Sequence, residues 1–284
     1  MDTPDTTNYH LYATDLTDEQ WELIEPLLPV NMGAGDNVDL DLRMVANAIF
    51  YRTRTGCQWD MLPKTYPNHN SVYYHYAKWS RYGTLIYIQD ALREQVRCQK
   101  KRDLTPSAAI IDSQSVKTTA VGGPKGYDAG KTTKGRKRHA IVDTEGLPMG
   151  FKITPADISD LEGGKALVKS IIAKFPRLKK IWGDTHYGGE FMKWAARTYD
   201  ITVEVVKKMA DQKGFVALPR RWVVERTLAW LSNYRILSKD YAQLLTSSLA
   251  DVTLASIHIL LRKLTIYKER NSATSSPDGI ASIA

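Results

Sequence analysis

Over residues 15–97 the hydrophobic positions recur at the three-to-four spacing of amphipathic helices, and from residue 108 onward short apolar runs replace them. Trp21, Ile24, Leu27 and Leu28 form the first stripe. Thr17 followed by Gln20 is a capping-box pattern ahead of it, and Pro29 closes it. Met44, Val45, Ala48 and Ile49 share one face of a helix predicted over 40–55, with Gly56 as its stop. The run Pro67-Asn-His-Asn-Ser71 supplies caps for a third helix over 72–81, and a fourth fits 85–96. Short helices with tight connections predict a self-contained, all-α, helix-turn-helix-like domain over 15–97, after a flexible N-terminus over 1–14.

A basic linker spans 98–107, and beyond it the pattern becomes that of strands. Apolar runs cover 108–111, 139–142 and 149–153, the first two ending in Asp112 and Asp143. A helix carrying Leu161, Ala166, Leu167, Ile171 and Ile172 follows, then a strand over 180–183 ending in Asp184. A helix over 189–199, a strand over 202–206 and a long apolar helix over 221–237 complete the series. Three consecutive strands predict an antiparallel meander, and the later alternation predicts crossover units. The expected class is α/β, with the mixed sheet and element order of a ribonuclease-H-like fold over 108–266. One more helix fits 249–264, and a Ser/Ala-rich tail over 267–284 is expected to be disordered.

Composition narrows the partner. The 284 residues carry 39 Lys+Arg against 31 Asp+Glu, a net charge of +8, which favours a polyanion, nucleic acid first. No apolar run reaches the roughly 18 residues of a membrane span, and the polar, acidic opening predicts no secretory leader. Cys57 and Cys98 alone make neither a disulfide framework nor a cysteine-based zinc site, so the expected setting is the cytoplasm.

Three acids stand out by position. Asp112 and Asp184 each end a predicted strand, and parallel pairing of those two strands would set them side by side at the carboxyl edge, where open α/β sheets bind ligands. Glu225 lies on the helix over 221–237 among Trp222, Val223, Val224 and Leu228, so burial is expected for it. A buried carboxylate requires a cation. The plain alternative is an ion pair with Arg221, one helical turn earlier. A strand-end aspartate likewise has a plain alternative, capping the turn that follows. Asp143, before Glu145-Gly146, reads as hairpin chemistry, and Asp157 and Asp160 read as a helix N-terminus. Convergence of three hard oxygen donors suits two Mg²⁺ or Mn²⁺ ions, which clamp the attacking and leaving oxygens of a phosphodiester displacement.

Four blocks give these acids a familiar setting: Leu16-Thr-Asp-Glu-Gln-Trp21, Asp112-Ser-Gln-Ser-Val-Lys117, Gly135-Arg-Lys-Arg-His139 running into Ile141-Val-Asp143, and Arg221-Trp-Val-Val-Glu-Arg226 with Tyr234-Arg235 and Lys239 downstream. Together they make the chain resemble the bacterial insertion-sequence transposases of the insertion-sequence-five family, over residues 12–265. The resemblance implies a ribonuclease-H-like catalytic domain behind a helical DNA-binding domain. It also implies that Asp112, Asp184 and Glu225 are an Asp-Asp-Glu triad that cuts transposon ends and transfers the freed 3′-hydroxyl to target DNA. The short stretch between Asp184 and Glu225 leaves no room for a large insertion domain.

Double-stranded DNA is then the expected partner, with a dimer or higher oligomer when two ends are joined. Between Lys117 and Arg138 seven basic residues and many glycines predict a mobile loop. Its Lys117, Lys134, Arg136, Lys137 and Arg138 are candidate phosphate contacts, a solvated basic loop being the alternative. Arg226, Arg235 and Lys239 are candidates near the acids. Tyr74, Lys78 and Arg81 share the face of the third helix expected to be free, whereas Tyr73, Tyr76 and Trp79 are expected in the core. A DNA-binding regulator without strand transfer, and a structure-selective nuclease on the same fold, are the competing functions.

Overall fold

Two strands organise the sheet. In the computed structural model, which describes residues 9–29, 40–206 and 220–274 with side chains as far as Ile266, β1 (Ala108–Lys117) is the central strand. It continues past Asp112 because Ser113 through Lys117 pair antiparallel with His139 through Gly135 of β3 (Thr133–Asp143). A short β2 (Gly126–Asp128) and then β4 (Pro148–Pro155) occupy the outer edge of β3 end to end. On its other side β1 pairs in parallel with β5 (Lys180–Gly183), which pairs in parallel with β6 (Thr202–Val205). An antiparallel meander followed by parallel crossovers is the α/β, ribonuclease-H-like arrangement that the order of apolar runs predicted. β2 and the early start of β3, both inside the loop expected to be mobile, were not predicted.

Alternation along β1 feeds two cores. Ala109 and Ile111 face α5 (Asp160–Ile171) and α6 (Glu190–Tyr199), packing with Leu167, Val168, Phe191 and Ala195. Ile110 faces the opposite way, toward Val223, Val224, Leu228 and Leu231 of α7 (Arg221–Ser232) and Val252 and Ala255 of α8 (Leu245–Thr274). Backbone packing is close on the first face: a Cβ built on Gly163 of α5 would lie 2.0 Å from the His139 ring.

The helical region comprises α1 (Asp18–Ile24), α2 (Leu42–Thr55), α3 (His69–Arg81) and α4 (Thr84–Gln99). Thr17 and Gln20 form the reciprocal capping box at α1. Gly56 ends α2 in the left-handed region at φ 71°, where its Cβ-less backbone also lies against Arg235. The region is not self-contained. Leu254, Ile257, Leu260 and Leu261 of α8 complete its core with Ile49, Val72, Leu85 and Leu92. Asp251 of α8 adds a buried ion pair to Arg52 at 2.9 Å and accepts the Tyr76 hydroxyl at 3.0 Å. At the far end Arg97, in the last turn of α4, pairs with the fully buried Asp143 of β3. The expected boundary at 98–107 is thus bridged on both sides, because the missing wall of the helical core is supplied by the C-terminal helix.

Residues 9–14, expected to be flexible, are tied down: the Tyr12 ring lies 5.0 Å from Tyr51 and 5.3 Å from Tyr66. Residues 1–8 of that expected segment, and 275–284 of the expected tail, lie outside the described residues. α8 runs past the predicted Leu264 into the tail segment, to Thr274. No helix among the described residues is long and apolar enough to cross a membrane.

Because α8 completes the helical core, a fragment of residues 15–97 is expected to show no cooperative unfolding. In the full chain, Leu254→Ala should cost about 2–5 kcal/mol in urea denaturation. A fragment that unfolds cooperatively on its own would contradict this packing.

Candidate active site

Parallel pairing of β1 with β5 brings the two strand-end aspartates together: Ile110 pairs with Trp182, and Asp112 and Asp184 each lie two residues further on. Glu225 arrives from α7, whose Val224 and Leu228 hold it to the sheet. One turn before it, Arg221 faces all three acids. Its Nε lies 3.2 Å from Glu225 Oε1, and its Nη2 lies 3.9 Å from both Asp112 Oδ2 and Asp184 Oδ2. All three are charge contacts. The ion pair first weighed as the plain alternative for Glu225 is therefore present, and the same guanidinium draws in both aspartates.

The acids differ in surroundings. Asp112 is buried, and burial pushes its carboxyl up to about 6. The Asp184 charge adds to that rise, while the Ser113 N–H, donating at 2.7 Å, and the Arg221 charge oppose it. Asp184 accepts the His186 N–H at 2.9 Å, capping the 3-10 turn Thr185–Tyr187, and its second oxygen lies 3.0 Å from His186 Nδ1. The capping role expected as the plain alternative for Asp184 is therefore present. Glu225, expected to be buried, has a side chain 39% exposed. The reason is helix phase: Val223, Val224 and Thr227 take the inner face of α7 and leave Glu225 at the rim.

Behind the aspartates stands a network that spacing did not reveal. Lys131 folds back from the glycine-rich segment to donate to the Ser113 carbonyl at 3.0 Å. The Ser113 hydroxyl donates to Asp160 at 2.6 Å. Tyr187, fully buried beside these acids, is held protonated by burial, its phenol well above the usual value. His139 is buried, with Nε2 3.0 Å from Thr154 Oγ1, and burial pushes its imidazole down to about 4, so it stays neutral inside the fold. Asp143 accepts the Glu145 and Leu147 N–H groups at 2.9 Å, the hairpin role expected of it.

Three carboxylates around one cationic position form a hard oxygen donor set of the kind that Mg²⁺ or Mn²⁺ prefers. Among the described residues no three His, Cys, Asp or Glu side chains stand close enough to hold one ion, the acids being arranged about Arg221. The chemistry of the donors fits a divalent cation, and the Arg221 guanidinium offsets their charge.

The expected phosphate contacts divide. Arg136, Lys137 and Arg138 are corrections, because β3 begins at Thr133 and sheet neighbours on both sides carry these residues into the interior, at 1%, 5% and 4% exposure. Arg136 pairs with the buried Asp240 at 3.0 Å and donates to the Ala242 and Gln243 carbonyls at 2.8 Å. Lys137 lies between Asp128 and Asp160 at 3.4 and 3.2 Å. Arg138 donates to the Leu237 carbonyl at 2.9 Å, and burial pushes its guanidinium down to about 10. Lys117, Lys134, Arg235 and Lys239 are exposed. The Asp240 N–H donates to the Lys117 carbonyl at 2.8 Å, which sets Lys117 and Lys239 at one edge.

Arg226 is half-buried, lying 4.4 Å from the Trp222 ring and 4.6 Å from Trp230. On α3, Tyr76 and Trp79 are core as expected, but Tyr73 is 49% exposed, as is Tyr74 at 50%. Arg81 is exposed on the same helix, and the half-buried Lys78 lies 5.5 Å from the Tyr74 ring. In the linker, Lys100 and Arg102 are taken up by Glu145 at 2.5 and 3.0 Å.

A ribonuclease-H-like sheet with three acids gathered at the carboxyl ends of its central parallel strands and on a covering helix defines the class. Comparison with known proteins makes it specific: residues 103–260 match the family model of the transposase DDE domain, more than half of the chain, and the chain belongs to that family. Residues 16–88 match a second family model, described as "Putative transposase of IS4/5 family". Over 120 residues the chain is 30% identical to a Burkholderia cepacia protein described as "Putative transposase for insertion sequence element IS402", covering 40% of this chain and 56% of that one. The chain thus spans little more than half the length of that relative.

Two measurements check the electrostatics. Arg136→Gln leaves Asp240 buried without its cation and should cost about 3–5 kcal/mol in denaturant unfolding, whereas the exposed Lys134→Gln should change stability by no more than about 0.5 kcal/mol. Equal effects would overturn the division. Asp112, with its folded carboxyl raised, binds a proton between about pH 4 and 6 that the unfolded chain has released, so its contribution lowers stability as pH rises through that window. Asp112→Asn should therefore be more stable than the parent at pH 7 in EDTA, by on the order of 2 kcal/mol in urea denaturation, and close to it at pH 4. No gain at pH 7 would contradict the burial of that charge.

Proposed function

We propose that this protein is a DNA transposase of the Asp-Asp-Glu type, which cuts phosphodiester bonds at the ends of an insertion element and joins the freed 3′-hydroxyl to target DNA. The observation that carries this reading is the convergence of Asp112, Asp184 and Glu225 on one cationic position at the sheet edge. A scaffold has no use for such a cluster, since like charges at close range are unfavourable unless a cation offsets them. Asp112, Asp184 and Glu225 would hold two Mg²⁺ or Mn²⁺ ions, which when bound activate the attacking oxygen and stabilise the leaving one. The carboxylates' own part is to offer hard donors from three separate elements, two strand ends and a helix. Arg221 balances their charge, and His186 and the Ser113 N–H orient the two aspartates.

The substrate follows from charge. Exposed Lys117 and Lys239 at one edge, with Lys134, Arg226 and Arg235, would meet phosphates of double-stranded DNA, the inverted repeats and the target. Tyr74, Lys78 and Arg81 of α3 would offer a second contact from the helical region. Joining two ends calls for a dimer or higher oligomer in the DNA complex, and the reaction would take place in the cytoplasm on nucleoid DNA.

Purified protein with Mg²⁺ and a plasmid carrying the bracketing inverted repeats should yield cleaved ends and integration products. Asp112→Ala, Asp184→Asn and Glu225→Gln should each reduce both to background, as should EDTA. Cleavage that survives these changes would sink the assignment. Cutting without integration of pre-cut ends would favour a nuclease, and tight end binding without either reaction would favour a regulator.

A further inference from the structure

A second cationic feature lies on the other side of α7. Beyond Glu225 the helix carries Trp230, five residues and about 7 Å of helix axis away. There a cavity of about 300 Å³ opens between α7 and α8. Its walls include Arg54, Trp230, Tyr234, Arg262, Lys263 and Ile266, and among the described residues no carboxylate lines it. Arg54 donates to the Asn233 carbonyl at 2.9 Å and lies 5.1 Å from the Tyr234 ring. Lys263 lies 4.3 Å from the Trp230 ring, with Arg226 4.6 Å from that same ring. Among the described residues neither Arg262 nor Lys263 has an acid at ion-pair distance.

Cations gathered at one pocket repel one another, and burial worsens the cost for a partly covered ammonium. Lys263 shows both effects: burial, and then the charges of Lys100 and Arg226, push its amine below the usual lysine value, against a smaller opposing pull from Asp143 and Glu145. Such an arrangement is relieved by an anion. Arg226 and Lys263 lie over the Trp230 ring at 4.6 and 4.3 Å, so its π-system is engaged by cations. The pocket suits a phosphate bearing a sugar on either side, with Arg54, Arg262 and Lys263 as donors.

We propose that this pocket is a second DNA contact, holding a backbone phosphate of a strand that continues past Asp112, Asp184 and Glu225. Arg226 is the link. It follows Glu225 directly and stacks on both Trp222 and Trp230, so a line of cations alternating with rings leads from the acids to the pocket. This inference rests on the DNA-processing function proposed above and adds to it the path of the strand.

The test uses the full-length protein and a fluorescein-labelled duplex copied from the DNA bracketing the gene, with affinity followed by anisotropy at several salt concentrations. Arg262→Gln with Lys263→Gln should weaken binding roughly threefold to tenfold and lower the slope of log affinity against log salt by about 1–2. Its melting temperature should be unchanged or higher. Arg262→Gln alone, at an exposed position, should show a smaller loss of the same kind. A wild-type protein that binds and cleaves DNA while the double variant keeps its slope would overturn the pocket and leave the function standing. A wild-type protein with no salt-dependent DNA binding would overturn both. Inorganic phosphate and dAMP are titrated in parallel: saturable binding of either, lost in the double variant while duplex affinity is retained, would make the pocket a site for a free phosphate and overturn the strand contact.

Discussion

Charge repulsion at the end of two parallel strands is the constraint around which the sheet half of the molecule is arranged. Pairing β1 with β5 forces Asp112 and Asp184 to the same edge, and α7 adds Glu225. Carboxylates so placed need a cation within a few ångströms. Arg221 fills that need because it lies one turn from Glu225 on the same helix, reaching that acid along α7 and the aspartates across the gap. The guanidinium is placed where its charge offsets all three carboxylates.

The basic excess of the chain does two unrelated jobs. Part of it is structural. Arg52 with Asp251, Arg97 with Asp143 and Arg136 with Asp240 are buried pairs that fasten distant segments, one of them linking α2 to α8 and another α4 to β3. Breaking such a pair leaves a charge stranded in a medium that solvates it poorly, which makes these positions intolerant of change although they look like surface lysines and arginines in the sequence. The other part is exposed and available to a polyanion, at Lys117, Lys134, Arg235 and Lys239 and around the pocket between α7 and α8. Net charge adds the two parts together and distinguishes neither.

The long α8 explains how the helical and sheet regions come to be one body. One side of it, through Leu254, Ile257 and Leu261, closes the core of α1–α4, and Val252 and Ala255 pack on the sheet side with α7. The hydrophobic pattern of residues 15–97 gave no hint of this dependence, since an amphipathic stripe records that a face is covered and says nothing of which segment covers it. The capping box at Thr17, the stop at Gly56 and the strand over 180–183 were legible because each is decided by neighbours within a few residues. The start of β3 was not legible, because the polar run Lys134-Gly-Arg-Lys-Arg138 pairs as strand only when β1 lies on one side and β2 and β4 on the other.

By itself the sequence determined the order of the longer strands and helices and the one-turn spacing of Arg221 and Glu225, which are local matters of propensity and periodicity. Tertiary structure alone decided that β1 and β5 are parallel neighbours and that one arginine meets all three acids. It also decided which cations reach solvent: Arg136, Lys137 and Arg138 do not, and Lys134 beside them does. The physical reason is the same in each case. Charge and burial depend on what lies across space from a residue, and that is fixed by pairing between segments far apart in the chain.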